Sequence, residues 1–288
     1  MKGLAAAVLA SAFSVVGVHG AMAADLAPND LMIPKFLLDE PEKVPATASR
    51  FTGYIEGGFE TGTSRDTELD SRSWRLRGSM NASSDTGLNL QADADYAHSY
   101  LQEYGWNDNI GGTLHVYYRP DGNYAFGVFG QTGRFESRFL PDTTARDYLG
   151  GLEAAWLGTD MTIYGQAGLG TTDIGGFDYD HYAGRAGMRY FFTDNIRADF
   201  EAAFDRYQDD IETADIWKIS AIGNYRPDGT PVSFYAGYRF EHAKLAVDDF
   251  GSDSDISNNF LVGMRYHFGS TSLKDEESNG PIWRGASF

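Results

Sequence analysis

Charged residues repeated at every second position are the part of this sequence best suited to chemistry. In a chain of alternating segments, the polar face of the even-numbered segments carries Arg75, Arg77, His115, Arg185, Arg189, Lys218, Arg265 and His267. The polar face of the odd-numbered segments carries Glu56, Glu60, Asp93, Asp95, Asp199, Glu201, Asp205 and Glu241, with Glu153, Arg197 and Arg239 departing from this division. Residues two apart share one face of a β-strand, so neighbouring strands would present opposite charges to each other. Such a wall can form cross-strand ion pairs worth about 0.2–1 kcal/mol each. It can also line a water-filled passage and select a solute by charge. Tyr54, Phe129, Tyr164 and Tyr235 share the polar face, placed either to stack on sugar rings or to pack against neighbouring side chains.

Catalytic chemistry has weaker support. His98 beside Ser99, His181 beside Asp178 and Asp180, and His242 beside Glu241 are the candidate acid–base or nucleophilic groups. None sits in a recognisable motif, and there is no glycine-rich phosphate loop or histidine cluster at metal-ligand spacing. The expectation is therefore no catalytic residue, no resident metal and no cofactor. Asp209, Asp210 and Glu212 in one loop, and Asp248, Asp249, Asp253 and Asp255 in another, offer oxygen ligands for a hard cation. The second group lacks the glycine and terminal glutamate of a calcium loop, so solvated acidic loops are expected.

Composition sets wider limits. The 288 residues carry 41 Asp and Glu against 23 Lys and Arg, a formal charge of −18, which excludes a nucleic-acid binder acting through bulk charge. The absence of cysteine excludes disulfides, thiolate metal sites, a cysteine nucleophile and a lipid-modified cysteine anchor. With 34 Gly, 17 Tyr and 19 Phe the chain is rich in glycine and aromatics.

The elements that would position these groups follow from the pattern. Lys2, the apolar run 4–18 and Ala21-Met22-Ala23 read as a signal peptide over residues 1–23. Residues 24–49, with four prolines, read as an extended periplasmic leader that is either disordered or enters the barrel as a plug. From residue 50 to 268 about twelve segments of ten to thirteen residues alternate apolar and polar side chains, with no stretch apolar enough for a spanning helix. A soluble sandwich would alternate too. Tight turns such as 84–87 and 120–123 on one side, and longer acidic loops on the other, favour a transmembrane antiparallel up-and-down barrel. Tyr118, Tyr124, Trp156, Tyr190, Tyr225 and Tyr266 lie at the tight-turn ends of the apolar faces, where an interfacial aromatic girdle belongs. Two motifs recur: Tyr-Arg-Pro-Asp-Gly at 118–122 and 225–229, and Gly-Met-Arg-Tyr at 187–190 and 263–266. Residues 269–288 read as a periplasmic tail.

The segment Phe260-Leu261-Val262-Gly263-Met264-Arg265-Tyr266-His267-Phe268 resembles the terminal-strand signal of proteobacterial outer-membrane β-barrel proteins, a porin-like superfamily. It departs from that pattern in being followed by a further twenty residues. The resemblance implies location in the outer membrane of a Gram-negative cell and contact with its lipid and lipopolysaccharide. It also implies recognition of Tyr266 and Phe268 by the barrel-assembly machinery. A barrel of about twelve strands is wider than those filled by side chains and narrower than sixteen-stranded porins. The expected function is passive diffusion of small solutes, anionic or sugar-like, along the opposed Arg and Asp/Glu strands. If Arg189 and Arg265 are not fully paired, an anionic solute is favoured. The alternatives are a structural or plugged barrel, an accessory to envelope polysaccharide export and, behind both, a lipid hydrolase.

Overall fold

A computed structural model describes residues 51–65, 69–102, 105–120, 122–137, 144–248 and 251–284. The signal peptide, the leader, Asp249 and residues 285–288 lie outside the described residues. Alternation from Phe51 onward produces twelve strands: β1 (Phe51–Ser64), β2 (Asp70–Ser83), β3 (Leu88–Leu101), β4 (Gly105–Tyr118), β5 (Tyr124–Ser137), β6 (Thr144–Leu157), β7 (Met161–Ile174), β8 (Phe177–Thr193), β9 (Ile196–Gln208), β10 (Glu212–Tyr225), β11 (Val232–Val247) and β12 (Gly251–Phe268). Each pairs antiparallel with its neighbours in sequence, and β1 pairs with β12. The sheet is thus the closed up-and-down barrel that the pattern predicts. Closure satisfies every strand's backbone from within the sheet and leaves no free edge.

The outward face is apolar all the way round. Ile55, Leu76, Leu90, Val128, Leu152 and Ile219 are all about half exposed or more. Such a continuous belt would drive aggregation in water and is stable only against hydrocarbon, so the fold is a transmembrane barrel of the outer-membrane type.

The strands run to 13–18 residues, longer than the ten to thirteen expected. A 14-residue strand spans about 48 Å, or roughly 34–39 Å of height at a tilt of 35–45°, against an apolar band of about 25 Å. The strands therefore continue beyond the lipid. This corrects the expected asymmetry of connections: 84–87, 119–123, 158–160, 194–195 and 226–231 at one mouth, and 65–69, 102–104, 138–143, 175–176, 209–211 and 248–250 at the other, are all two to six residues long. Asp253 and Asp255 consequently lie in β12 and Glu212 in β10, not in loops. Glu212 is buried and accepts from the Tyr179 hydroxyl at 3.1 Å, Asp255 accepts from Ser64 at 2.6 Å, and Asp209 caps the backbone N–H groups of Ile211 and Glu212.

The segment after β12 departs most from expectation. Gly269, at φ 75°, turns the chain back at the mouth where β1 begins and β12 ends. Ser272 caps a short helix, α1 (Leu273–Asn279), by accepting from Asp275 N, while Asp275 accepts from Thr271 N. Residues 269–284 are folded into this first mouth and do not hang from the barrel as a tail. Leu273, Ile282 and Trp283 are buried to 1% or less.

Candidate functional site

All sixteen charged residues expected on the inner wall point inward. Toward the first mouth, Arg265 holds Glu56 with Nε at 2.9 Å and Nη2 at 2.5 Å, and its guanidinium lies 4.5 Å from the centre of the Tyr54 ring. Glu60 pairs with Arg239 at 2.5 Å and with Arg75 at 4.0 Å; Arg185 pairs with Glu201 at 3.5 Å and Lys218 with Asp205 at 3.7 Å. Two histidines sit between carboxylates: His115 between Asp93 at 3.0 Å and Glu153 at 2.8 Å, and His181 between Asp147 at 2.7 Å and Asp205 at 3.3 Å. Asp95 and Glu241 are buried on the same inner face. Cross-strand opposition alone does not choose the partners. Arg77 faces Asp95 in the β2–β3 register and Glu56 in the β1–β2 register. Among the described residues it nevertheless makes no ion pair or hydrogen bond, though it is only 6% exposed.

Both sequence repeats acquire a cause here. Tyr164 stands directly opposite Gly187, and Tyr235 opposite Gly263. In each case the hydroxyl end of the ring occupies the space over the glycine, where a Cβ would come within 2.4 Å of it. The Arg two residues on then covers an aromatic face: Arg189 is 4.6 Å from the Tyr164 centroid and Arg265 is 5.8 Å from that of Tyr235. In the other repeat, Gly122 and Gly229 take positive φ (81° and 70°) to make the turn. Its arginines, Arg119 and Arg226, reach inward to the backbone of the returning segment. Arg119 donates to Ser278 O at 2.5 Å and Glu277 O at 2.8 Å, and Arg226 to Ser270 O at 2.8 Å.

The returning segment is held by most of the first mouth. Gln91 accepts from Ile282 N and Trp283 N and donates to Trp283 O, and Tyr117 meets the Trp283 ring edge-on at 5.8 Å. Tyr117, Ala125, Ala155, Leu157, Tyr164, Ile282 and Trp283 form one apolar cluster. Glu277 is bound by Arg189 and Arg197, and Glu276 by His267. Burial alone would raise the Glu276 carboxyl, but the His267 ring, Arg265 and Arg197 outweigh it and hold the group below the ordinary carboxylate range. Arg284, at the inner end of the segment, donates to Asp199 at 3.0 Å. No residue of this segment was expected to matter from the sequence. The available signal was Ser272-Leu273-Lys274-Asp275, a helix-capping pattern, followed by an isolated apolar pair.

Above the returning segment lies a cavity of about 120 Å³. Its wall carries seven cations (Arg75, Arg77, Arg185, Lys218, Arg239, Arg265 and Arg284) and four carboxylates (Glu56, Glu60, Glu201 and Asp205), a formal surplus of three positive charges in a chain of charge −18. Phe129 and Tyr235 line it as well. The expected signature of anion preference was free Arg189 and Arg265, and this is corrected: Glu277 and Glu56 pair them. Within the lining the excess cations are Arg77, Arg284, whose partner Asp199 stands just outside the lining, and one of Arg75 and Arg239, which share Glu60.

The histidine candidates for catalysis are not assembled. His98 faces outward, stacked on Trp106 at 4.4 Å and bonded to Asp108 at 2.6 Å, while Ser99 faces inward on the same strand. His181 is oriented by Asp147 and Asp205, not by Asp178 or Asp180, and His242 and Glu241 lie on opposite faces of β11. Tyr118, Tyr124, Trp156, Tyr190, Tyr225 and Tyr266 all point outward near the first mouth. A second outward ring of Tyr148, Tyr182 and Trp217, not anticipated from sequence, lies eight residues along the strand from Trp156, Tyr190 and Tyr225 respectively. Eight residues rise about 27 Å along a strand, or roughly 19–22 Å in height, close to the height of the apolar band. Phe268 stacks on Phe51 at 5.8 Å, beside the β1–β12 seam.

No family model and no curated protein matches the chain. Among solved structures it is similar to the KdgM porin, at 12% identity over 75% of this chain and 99% of that one, with a TM-score of 0.49. It is also similar to the translocator domain of the autotransporter NalP from Neisseria meningitidis, at 13% identity over 77% and 90% with a TM-score of 0.49, and to the NanC porin, at 11% identity over 74% and 98% with a TM-score of 0.46. Likenesses at this level assign neither solute nor activity.

Proposed function

We propose that this chain is an outer-membrane channel for small anionic solutes, with the basic mid-barrel cavity as its selecting element. The observation that carries this reading is the charge of that cavity. Cations outnumber carboxylates on its lining, and Arg77 makes no ion pair or hydrogen bond among the described residues, which favours a solute that brings negative charge. Phe129 and Tyr235 add flat apolar surface of the kind that stacks on sugar rings, so a sugar acid fits both features. The barrel works passively, without catalysis. The two aromatic rings seat it in the bilayer against lipopolysaccharide, and Tyr266 and Phe268 form the signal for the assembly machinery. Reversal potentials of the refolded protein in a salt gradient test the selectivity: anion preference is expected, and cation preference contradicts it.

A second reading has its own observation. The returning segment fills one mouth, as it would in a purely structural, self-plugged barrel. Folded protein that passes no ions after the segment is loosened supports this alternative.

A further inference from the structure

Glu277 belongs to the chain, yet it is bound as a ligand would be. Arg189 Nη1 lies 2.8 Å from each Glu277 carboxylate oxygen, and Arg197 Nη1 adds a third contact at 3.5 Å. All three side chains are at least nine-tenths buried. On the wall itself, the face of Arg189 lies on Tyr164 and Arg197 is oriented by Asp199, with Nε at 2.7 Å and Nη2 at 2.9 Å; the donation of Arg189 Nη2 to Ile282 O at 2.8 Å belongs, like Glu277, to the segment. Two oriented guanidinium groups on an aromatic support make a carboxylate-binding site on the barrel wall. The group filling it arrives on a segment joined to β12 by a few residues, and that segment's inner end, Arg284, lines the basic cavity.

We propose that residues 269–284 form an autoinhibitory plug in which Glu277 occupies, from within the chain, a site that also takes the carboxylate of a small free anion, so that such an anion competes the plug out of the mouth. This rests on the channel reading for its purpose but not for its test. A group tethered by a short linker acts at an effective concentration in the millimolar range, so a free carboxylate must reach millimolar levels or more to compete. A wall site that binds carboxylates then both senses the solute and opens its path.

The chain has no cysteine, which makes plug position directly measurable. Cysteine in place of Ile282, buried to 1%, is labelled by a water-soluble maleimide only when the segment leaves the mouth. In full-length protein folded in vesicles, with heat-modifiable migration confirming the barrel, I282C should label slowly and E277Q/I282C at least tenfold faster. Sodium citrate at 10–100 mM should speed labelling of I282C severalfold over sodium chloride of equal ionic strength. Equal rates for the two folded variants, or a rate indifferent to citrate, overturn the proposal. The citrate comparison requires no change at Glu277 and so stands even if E277Q does not fold. Neither measurement uses ion current, so a silent barrel with a citrate-responsive plug contradicts the channel reading and leaves the plug intact.

Discussion

Gly187→Ala should destabilise the barrel through one contact. The new Cβ would lie 2.4 Å from both Cζ and Oη of Tyr164 and 2.7 Å from its Cε1. Carbon atoms pack at about 3.5–4.0 Å, so the ring must move by roughly 1 Å. It has little freedom to do so. Its hydroxyl donates to Glu201 at 2.5 Å, Arg189 covers one face, and it shares an apolar cluster with Ile282 and Trp283. Overpacking of this kind costs about 1–3 kcal/mol. At a urea dependence of about 2 kcal/mol per molar, a loss of about 2 kcal/mol lowers the unfolding midpoint by about 1 M. Reversible urea unfolding in phospholipid vesicles, followed by tryptophan fluorescence, measures the shift. In a Tyr164→Ala background the same glycine substitution should cost almost nothing, giving a coupling of about 1–3 kcal/mol between the two sites. Costs that add within about 0.5 kcal/mol would refute the reasoning, because the glycine would then not be the seat of that ring.

Three further outcomes are expected. Replacing His181 with Leu removes the hydrogen-bonded partner of Asp147 and Asp205 and the stack on Tyr207 at 4.2 Å; a loss of about 2–3 kcal/mol in the same urea assay is expected, and no loss contradicts the buried network. The Glu276 carboxyl is held below its ordinary value of 4.5 in the folded chain, so its anchoring of the plug is fully present above about pH 4.5 and fades as pH falls through the lower folded-state value. Labelling of I282C by a dipyridyl disulfide, which reacts with thiols in acid where a maleimide does not, should accordingly rise below about pH 4.5 relative to the urea-unfolded chain at the same pH, and a ratio that stays flat until the barrel itself unfolds argues against this anchor. Replacing Arg119 with Ser removes two hydrogen bonds to the α1 backbone at Glu277 and Ser278, each worth about 0.5–1.5 kcal/mol, and should speed I282C labelling roughly five- to tenfold or more with the barrel still folded.

Period-2 alternation made the barrel legible because one face of every strand meets hydrocarbon and the other does not; the inward or outward direction of each charged residue follows from that contrast. Strand ends were not legible, since the alternation runs on through residues such as Asp253 and Asp255 after the lipid has ended. The Gly-Met-Arg-Tyr and Tyr-Arg-Pro-Asp-Gly repeats were visible as text. Their cause, an aromatic seat in one case and an arginine anchor in the other, depends on cross-strand register and on a segment far away in sequence. Pairing failed for the same reason. Arg189 stands opposite Asp199 in the β8–β9 register, but Glu277, arriving from 88 positions away, takes its guanidinium. Polar composition made residues 269–284 look like a solvated tail. The residues that cluster with Trp283 come from β3, β4, β5, β6 and β7, and no local pattern in the tail reports them.

The central claim, that the cavity selects anions, is tested most directly by the reversal potential of the plug-loosened Arg119→Ser protein in a salt gradient, compared with the same protein carrying Arg77→Ser. Anion selectivity that weakens when Arg77 is removed is the expected result, because that guanidinium is the cavity cation with no partner among the described residues. Cation selectivity, or anion selectivity indifferent to Arg77, would contradict the account.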